Sequence, residues 1–349
     1  MTGRAAAALF LAVCAFAAAA LLWRMEPQTL AYGWLASVLT WISAPLGCLG
    51  LLLIHAMTGG RWGDAIKPEL RAGAATLLLL PAFALPLIPF ARRLYPWLRE
   101  GGGTLPNAFY LNGSAALARA LIYLLVWFGL EWIVARRLRR PDPQLAAIAP
   151  AGLILLALTI SFMSIDLVMS LDPRFPSSVF GLLRMADMAL FALSLCVFIA
   201  STKTDIQSDD LHQLGRLLLA AVILWAYLAF MELLIVWQSN LPAEASWYGP
   251  RLTGGWGVLG AAVTVFRFAL PFFVLLSPRA QSSPRAMRDV AATLILAGCA
   301  SNLWLVGPQS AAPALMIVLS FLVTLGGMAA ASFALMSAWR APALRMDRP

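Results

Sequence analysis

The sequence is poor in charge, poor in histidine, and has no paired cysteine motif. Only 12% of its 349 residues are charged, against 61% hydrophobic. Soluble domains carry about 25% charge, so this composition excludes a soluble globular chain. Its two histidines, His55 and His212, give no expectation of a bis-histidine haem. The four cysteines, Cys14, Cys48, Cys196 and Cys299, stand singly in apolar runs. That spacing excludes a disulfide framework, an iron–sulfur ligand set and a C-x-x-C-H haem attachment site. There is no P-loop, no G-x-S-x-G, no H-E-x-x-H and no metal-ligand cluster. The stretch Thr58–Gly63 is glycine-rich but lacks the Gly-Lys-Ser/Thr ending of a phosphate loop, and it reads as a tight turn. Nothing points to chemistry catalysed by this chain alone, and any redox centres it works with must lie on other chains.

What is present is long apolar runs. Mean hydropathy is +0.82, and ten hydrophobic segments can be marked: 6–23, 30–56, 73–91, 115–135, 145–171, 178–201, 213–238, 254–276, 289–306 and 313–337. Each is near the roughly 20 residues that cross a bilayer as helix. The expected fold is an all-α integral membrane protein of about ten transmembrane helices. Spans 2–5 and 6–9 would form two four-helix bundles, with helices 1 and 10 flanking them. The corresponding regions are 1–29, 30–172, 173–310 and 311–349. The first segment has a basic start and an Ala-rich run like a signal peptide. It lacks a clean small-x-small site, so it is read as a retained helix.

The net charge of +9 sits in short loops and signals topology; it does not point to nucleic acid. Sixteen Lys and Arg fall on the side of the N-terminus and six on the other. Both termini are therefore expected in the cytoplasm of a bacterial inner membrane. The far-side loops 92–114 and 239–253 hold Tyr95, Trp97, Tyr110, Trp247 and Tyr248, which suit either an interfacial aromatic belt or a docking surface.

Ionisable groups inside spans are the exception that asks for a reason. They are Arg119, Glu131, Asp166, Arg184, Asp187, Glu232 and Arg267, with His55 at a span end. The stretch Ser164–Gly181 is the densest corner, leaving one span at Asp166 and entering the next at Arg184 and Asp187. At about 1.5 Å per residue, Asp166, Arg184, Asp187 and Arg119 lie in the outer half. Glu232 lies deeper on the same side, Arg267 near the middle, and Glu131 with His55 near the cytoplasmic face. Arg184 and Asp187 are spaced to pair on one helical face, and the turn is expected to bring Asp166 near them. Two readings stay open. Arg184, Arg267 and Arg119 form structural ion pairs in the membrane; or Asp166, Asp187, Glu232 and His55 belong to a proton path, most simply a half-path open to the outer side.

Several stretches resemble the ActF family, a membrane component of alternative complex III, the bacterial quinol:cytochrome c oxidoreductase unrelated to the bc1 complex. They are His55-Ala56-Met57-Thr58-Gly59-Gly60-Arg61-Trp62-Gly63, Leu94-Tyr95-Pro96-Trp97, Tyr110-Leu111-Asn112 and the Ser164–Gly181 corner. The longest is Trp225-Ala226-Tyr227-Leu228-Ala229-Phe230, continuing through Trp237, Asn240-Leu241-Pro242 and Trp247-Tyr248 to Arg251, with Leu270-Pro271-Phe272 after it. The resemblance implies the polysulfide-reductase membrane-anchor superfamily fold and a non-catalytic subunit of a respiratory electron-transport assembly. It implies no cofactor bound covalently to this chain and leaves room for a quinone. The implied partners are a multihaem cytochrome, an iron–sulfur subunit and a paralogous membrane subunit, all in or against the lipid bilayer. Asp166 and His55 match family positions, whereas Ala56 and Arg267 stand where family members tend to have histidine. A stand-alone secondary transporter and a purely structural anchor or assembly subunit are the alternatives.

Overall fold

The computed structural model describes residues 3–99, 107–139, 145–204, 206–239 and 241–346, without the side chains of Arg4, Ala243 and 338–346. Of the residues used above, Arg140, Asn240 and Arg348 lie outside the described set, as do the side chains of Arg340 and Arg345. The chain is 87% helical, with no strand among the described residues, so it is an all-α membrane protein. Among the described residues, nine helices are long and apolar enough to cross a bilayer, and a bent pair brings the number to ten.

The helices used below are α1 (Gly3–Met25), α2 (Pro27–Thr58), α3 (Arg61–Ala75), α4 (Leu87–Leu94), α5 (Gly113–Leu138), α6 (Ala149–Leu167), α7 (Phe180–Ala200), α8 (Ser208–Ser239), α9 (Gly254–Thr264), α10 (Leu270–Leu275), α11 (Pro284–Val306) and α12 (Ala314–Met346). Proline opens several of them, at Pro27, Pro150 and Pro284, where a missing N–H removes nothing. Asn112 caps α5 by accepting from the Ala115 N–H. The third span is not the straight 73–91 that hydropathy suggests. It begins at Arg61 and bends by 67° between Ala84 and Leu87, around Pro86. Pro81, Pro86 and Pro89 together remove three ladder donors within two turns, which is reason enough for the break.

α2 is the hub. It packs on α3, α4, α6, α7, α11 and α12, and 83% of its most apolar window is buried. α7 is second, against α2, α6, α8 and α11. Thus the first set of spans (α2–α6) and the second (α7–α11) share the α2–α7 contact as a common wall. α1 and α12 pack on each other and on α2 at one flank.

Lipid offers no hydrophobic gain for helix association, so close backbone approach and polar contacts hold the wall together. Gly47 of α2 lies directly against the Met188 carbonyl of α7. Towards α12, Ser37 Oγ and Thr324 Oγ1 are 2.7 Å apart, and Trp41 Nε1 donates to Ser332 Oγ at 2.8 Å. Ser37, Thr40 and Ser43 also donate to carbonyls one turn back, which satisfies these three hydroxyls in hydrocarbon.

A side chain at position 47 would start 2.2 Å from Met188 O and 2.6 Å from Ala192 Cβ. Gly47→Ala should therefore destabilise the protein by about 1–3 kcal/mol, the usual range for overpacking. Thermal unfolding in mild detergent reads the effect. Gly129→Ala, a helix-interior glycine with nothing within 4 Å of its added methyl, should not lower the transition and should raise it slightly.

Candidate functional site

Apart from Glu131, which lines a separate groove, the in-span charges gather in three clusters. The first is Asp166, at the end of α6. Arg119 of α5 grips it with two bonds, Nε to Oδ2 at 2.9 Å and Nη2 to Oδ1 at 2.8 Å. Tyr123 adds a hydroxyl at 2.7 Å, and Tyr110 lies under the guanidinium at 3.7 Å. Asp166 is thus answered within its own bundle by α5. The turn does not pair it with Arg184, because Arg119 and Tyr123, one helical turn apart, reach it first.

The second cluster is buried throughout. Asp187 of α7 accepts from Arg184 Nη1 at 2.8 Å and from Arg267 Nη2. Arg184, Asp187 and Arg267 are 1%, 2% and 0% exposed, so two guanidiniums share one carboxylate away from water. Arg267 sits in the π-helical turn Val265–Ala269, between α9 and α10. The wider turn and Pro271 interrupt the regular ladder there. Arg267 also lies over the Trp225 ring at 4.8 Å, which offsets part of its burial.

The third cluster closes the far side. Glu232 of α8 is 5% exposed. The hydroxyls of Ser177 and Tyr248 lie beside its carboxyl, and its Oε1 has no partner among the described residues. Arg251 is fully buried, donating to the carbonyls of Trp247 and Leu305 at 2.5 Å each and stacking on the Trp247 ring at 3.3 Å. Burial pushes its guanidinium down to about 9, which leaves it charged at neutral pH. Burial, with Glu232 beside it, pushes the Tyr248 phenol far up, so Tyr248 stays a protonated donor. Burial raises the Asp172 carboxyl, but Arg174 outweighs it and holds Asp172 below the usual carboxylate range.

A cavity of about 770 Å³ joins the second and third clusters. Arg184, Asp187, Glu232, Tyr248 and Trp304 line its inner wall. Its rim is apolar and exposed: Ile223, Tyr227, Phe230 and Leu233 on α8, and Leu252. Exposed apolar residues on a spanning helix face lipid, so the mouth opens sideways into the bilayer. This is the concave, largely apolar lining with a few convergent polar groups that a small amphipathic ligand needs.

Of the expected proton-path residues, the structure brings Asp187 and Glu232 to this cavity and places Asp166 and His55 elsewhere. His55, on the N-terminal side, lies 3.1 Å from Gly60 O and 3.7 Å from Asp64. Arg184 and Arg267 belong to the cavity cluster, and Arg119 pairs with Asp166. Two buried groups escape sequence reasoning. Arg251 reads as a loop cation, although Trp247 and Arg251 are spaced i, i+4 as a stacked pair would be. Glu69, 4% exposed and paired with Lys203 at 2.7 Å, is hidden in an apparent loop. The signal there is Ile66, Leu70 and Ala74, a helical stripe running beside the charges.

No protein-family model matches the chain, and no curated protein does.

Neutralising Asp187 would leave two buried guanidiniums facing an uncharged amide. Asp187→Asn is expected to destabilise the protein by about 3–5 kcal/mol, as removing one partner of a buried pair does. Adding Arg267→Met should recover part of that loss by removing a stranded charge. Thermal unfolding of the two variants checks this, and equal transitions would mean that Asp187 does not compensate Arg267.

Proposed function

We propose that the chain is a membrane subunit, without redox centres of its own, of a quinol-oxidising respiratory assembly, in the role that ActF-like chains have in alternative complex III. It resides in the bacterial inner membrane with both termini in the cytoplasm. Its partners there are a multihaem cytochrome, an iron–sulfur subunit and a paralogous membrane subunit. The observation that carries this reading is the lipid-facing cavity with Glu232 at its inner wall. A molecule that lives in the bilayer can enter such a mouth without crossing water.

A quinol fits the donor set. Glu232 Oε1 is a buried acceptor without a partner among the described residues, and Arg184 Nε and Nη2 on the same wall are donors without one. A bound quinol supplies two electrons to redox centres on other chains and two protons. This chain's part is positional and protonic. The hydroxyls of Tyr248 and Ser177 flank the Glu232 carboxyl. Ser177 stands half-buried in the far-side turn, so it links Glu232 to the outer surface. Arg251 and its carbonyl partners hold the loop that carries Tyr248. The half-path is therefore short, running from the cavity to the far side through Glu232 and Ser177. The positive cluster of Arg184 and Arg267 around Asp187 bars further movement of protons inward.

One observation favours a second reading, a stand-alone secondary transporter. The π-helical turn at Arg267 interrupts a spanning helix beside a buried charge, as broken helices do around transporter sites.

Purification of the tagged chain in mild detergent separates the two. Haem- and iron–sulfur-bearing subunits should come with it, and a lone monomer in several detergents would defeat the proposal. Glu232→Gln should leave that assembly intact and slow quinol oxidation about 10²-fold, the lower end of what a positioned proton-transfer group contributes. An unchanged rate in an intact assembly would leave Glu232 a packing residue and the chain an anchor.

A further inference from the structure

A second groove, of about 550 Å³, lies on the N-terminal side between α2, α3 and α5, away from the cavity above. Arg71 of α3 and Arg136 and Arg139 at the end of α5 line it, with Glu131 the one carboxylate among the lining residues. The nearby cations Arg61, Lys67 and Lys203 are used up in ion pairs with Asp210, Asp64 and Glu69. Arg71, Arg136 and Arg139 are exposed and have no carboxylate within ion-pair reach among the described residues. Arg140 and Asp142, next in the chain, lie outside them. Three guanidiniums against one carboxylate leave the groove positive.

The rest of the lining is apolar. Leu78, Ala135 and Leu138 are its accessible apolar lining, with Leu49 and Leu52 of α2 and Val134 buried beneath as a floor. Trp132 lines it too, with the Arg136 guanidinium over its ring at 5.2 Å. Tryptophan with arginine marks the level where hydrocarbon gives way to headgroups. An anion held there has an apolar tail path beneath it and guanidiniums around it. Guanidinium forks match phosphate oxygens in number and geometry. A cytoplasmic protein segment would meet the charge but has no reason to match the leucine floor, whereas a lipid matches both.

We propose that this groove is a binding site for an anionic glycerophospholipid, its phosphate held by Arg71, Arg136 and Arg139 and an acyl chain lying along Leu78, Ala135 and Leu138. Basic pockets between spanning helices on this side of the membrane recognise lipid headgroups in this way. The lipid would wedge α5 against the α2–α3 pair, which otherwise meet through few residues at that end.

Native mass spectrometry of the purified full chain, with added phosphatidylglycerol or phosphatidylcholine of the same acyl chains, tests the site. Phosphatidylglycerol should bind more tightly than phosphatidylcholine. The variant Arg71→Gln/Arg136→Gln/Arg139→Gln should weaken it by about fivefold for each arginine removed and weaken phosphatidylcholine less, so that the preference between the two lipids shrinks. Arg285→Gln/Arg288→Gln, on the same side but outside the groove, should bind as the parent does. If the triple variant does not fold, Arg136→Gln alone, with an expected loss of about fivefold, decides the matter. Equal binding of the two lipids, or unaltered phosphatidylglycerol binding in the arginine variants, overturns the proposal. Displacement of the lipid by millimolar inorganic phosphate overturns it too, since the groove would then be a free-anion site.

Discussion

Two guanidiniums held by one carboxylate in the hydrocarbon, Arg184 and Arg267 on Asp187, form the constraint on which the second half of the molecule depends. Taking such groups out of water is expensive, and their mutual attraction repays the expense only with good geometry. Here that geometry ties α7 to the break between α9 and α10. The π turn is needed for it, because Arg267 must turn inward where Pro271 already disrupts the ladder. Gly298 of α11 completes the fit: a methyl there would sit 3.1 Å from Arg267 Nη1 and 2.7 Å from the Phe191 ring. Four helices are thus positioned around one charge cluster, and the cavity is the space left on its lipid side.

The clusters differ in what they leave unsatisfied, and that difference sorts structure from function. Asp166 has both oxygens engaged, by Arg119 and Tyr123, so it has little left to offer a ligand. Glu232 has one oxygen without a partner while buried in the same membrane. An orphaned buried acceptor is destabilising by about 1–3 kcal/mol, and its persistence beside a cavity is an argument for a ligand-facing role. Arg184 also keeps Nε and Nη2 unpartnered on the same wall. Among the described residues, unpartnered buried atoms also occur on Thr29, Glu69, Trp97, Tyr110 and His212, but Arg184 and Glu232 are the two such residues that line the cavity.

The spans are legible in the sequence because an apolar run of the right length has few other folds open to it in lipid. The ends are less so wherever charge and helix coincide. Residues 61–72 carry Arg61, Asp64, Lys67, Glu69 and Arg71, and they read as loop although they form most of α3. Only the buried stripe of Ile66, Leu70 and Ala74 tells otherwise, and it is one turn too short to outweigh five charges. The Arg184–Asp187 pair is legible because it is local, three residues apart on one helix. Asp166 with Arg119 and Asp187 with Arg267 are not, since their partners lie 47 and 80 residues away. Depth along a helix can be counted from sequence, but the azimuth that chooses a partner cannot.

Arg251 shows how far that azimuth reaches into the functional reading. As a far-side loop cation, it would belong to topology alone. Folded, it is fully buried, stacked on Trp247, which in turn stacks on Phe175 at 4.7 Å. Phe175 belongs to the turn that also carries Asp172 and Ser177, and Ser246 donates to Asp172 from the facing segment. Trp304 of α11 closes the set by donating to the Arg251 carbonyl. The far-side turn, the segment after α8 and the end of α11 are thus locked through one arginine. Tyr248 and Ser177, which flank Glu232, sit on the two pieces so joined. A change at Arg251 would reach Glu232 without touching it, so the guanidinium acts as a positioning group for the carboxyl that faces the lipid.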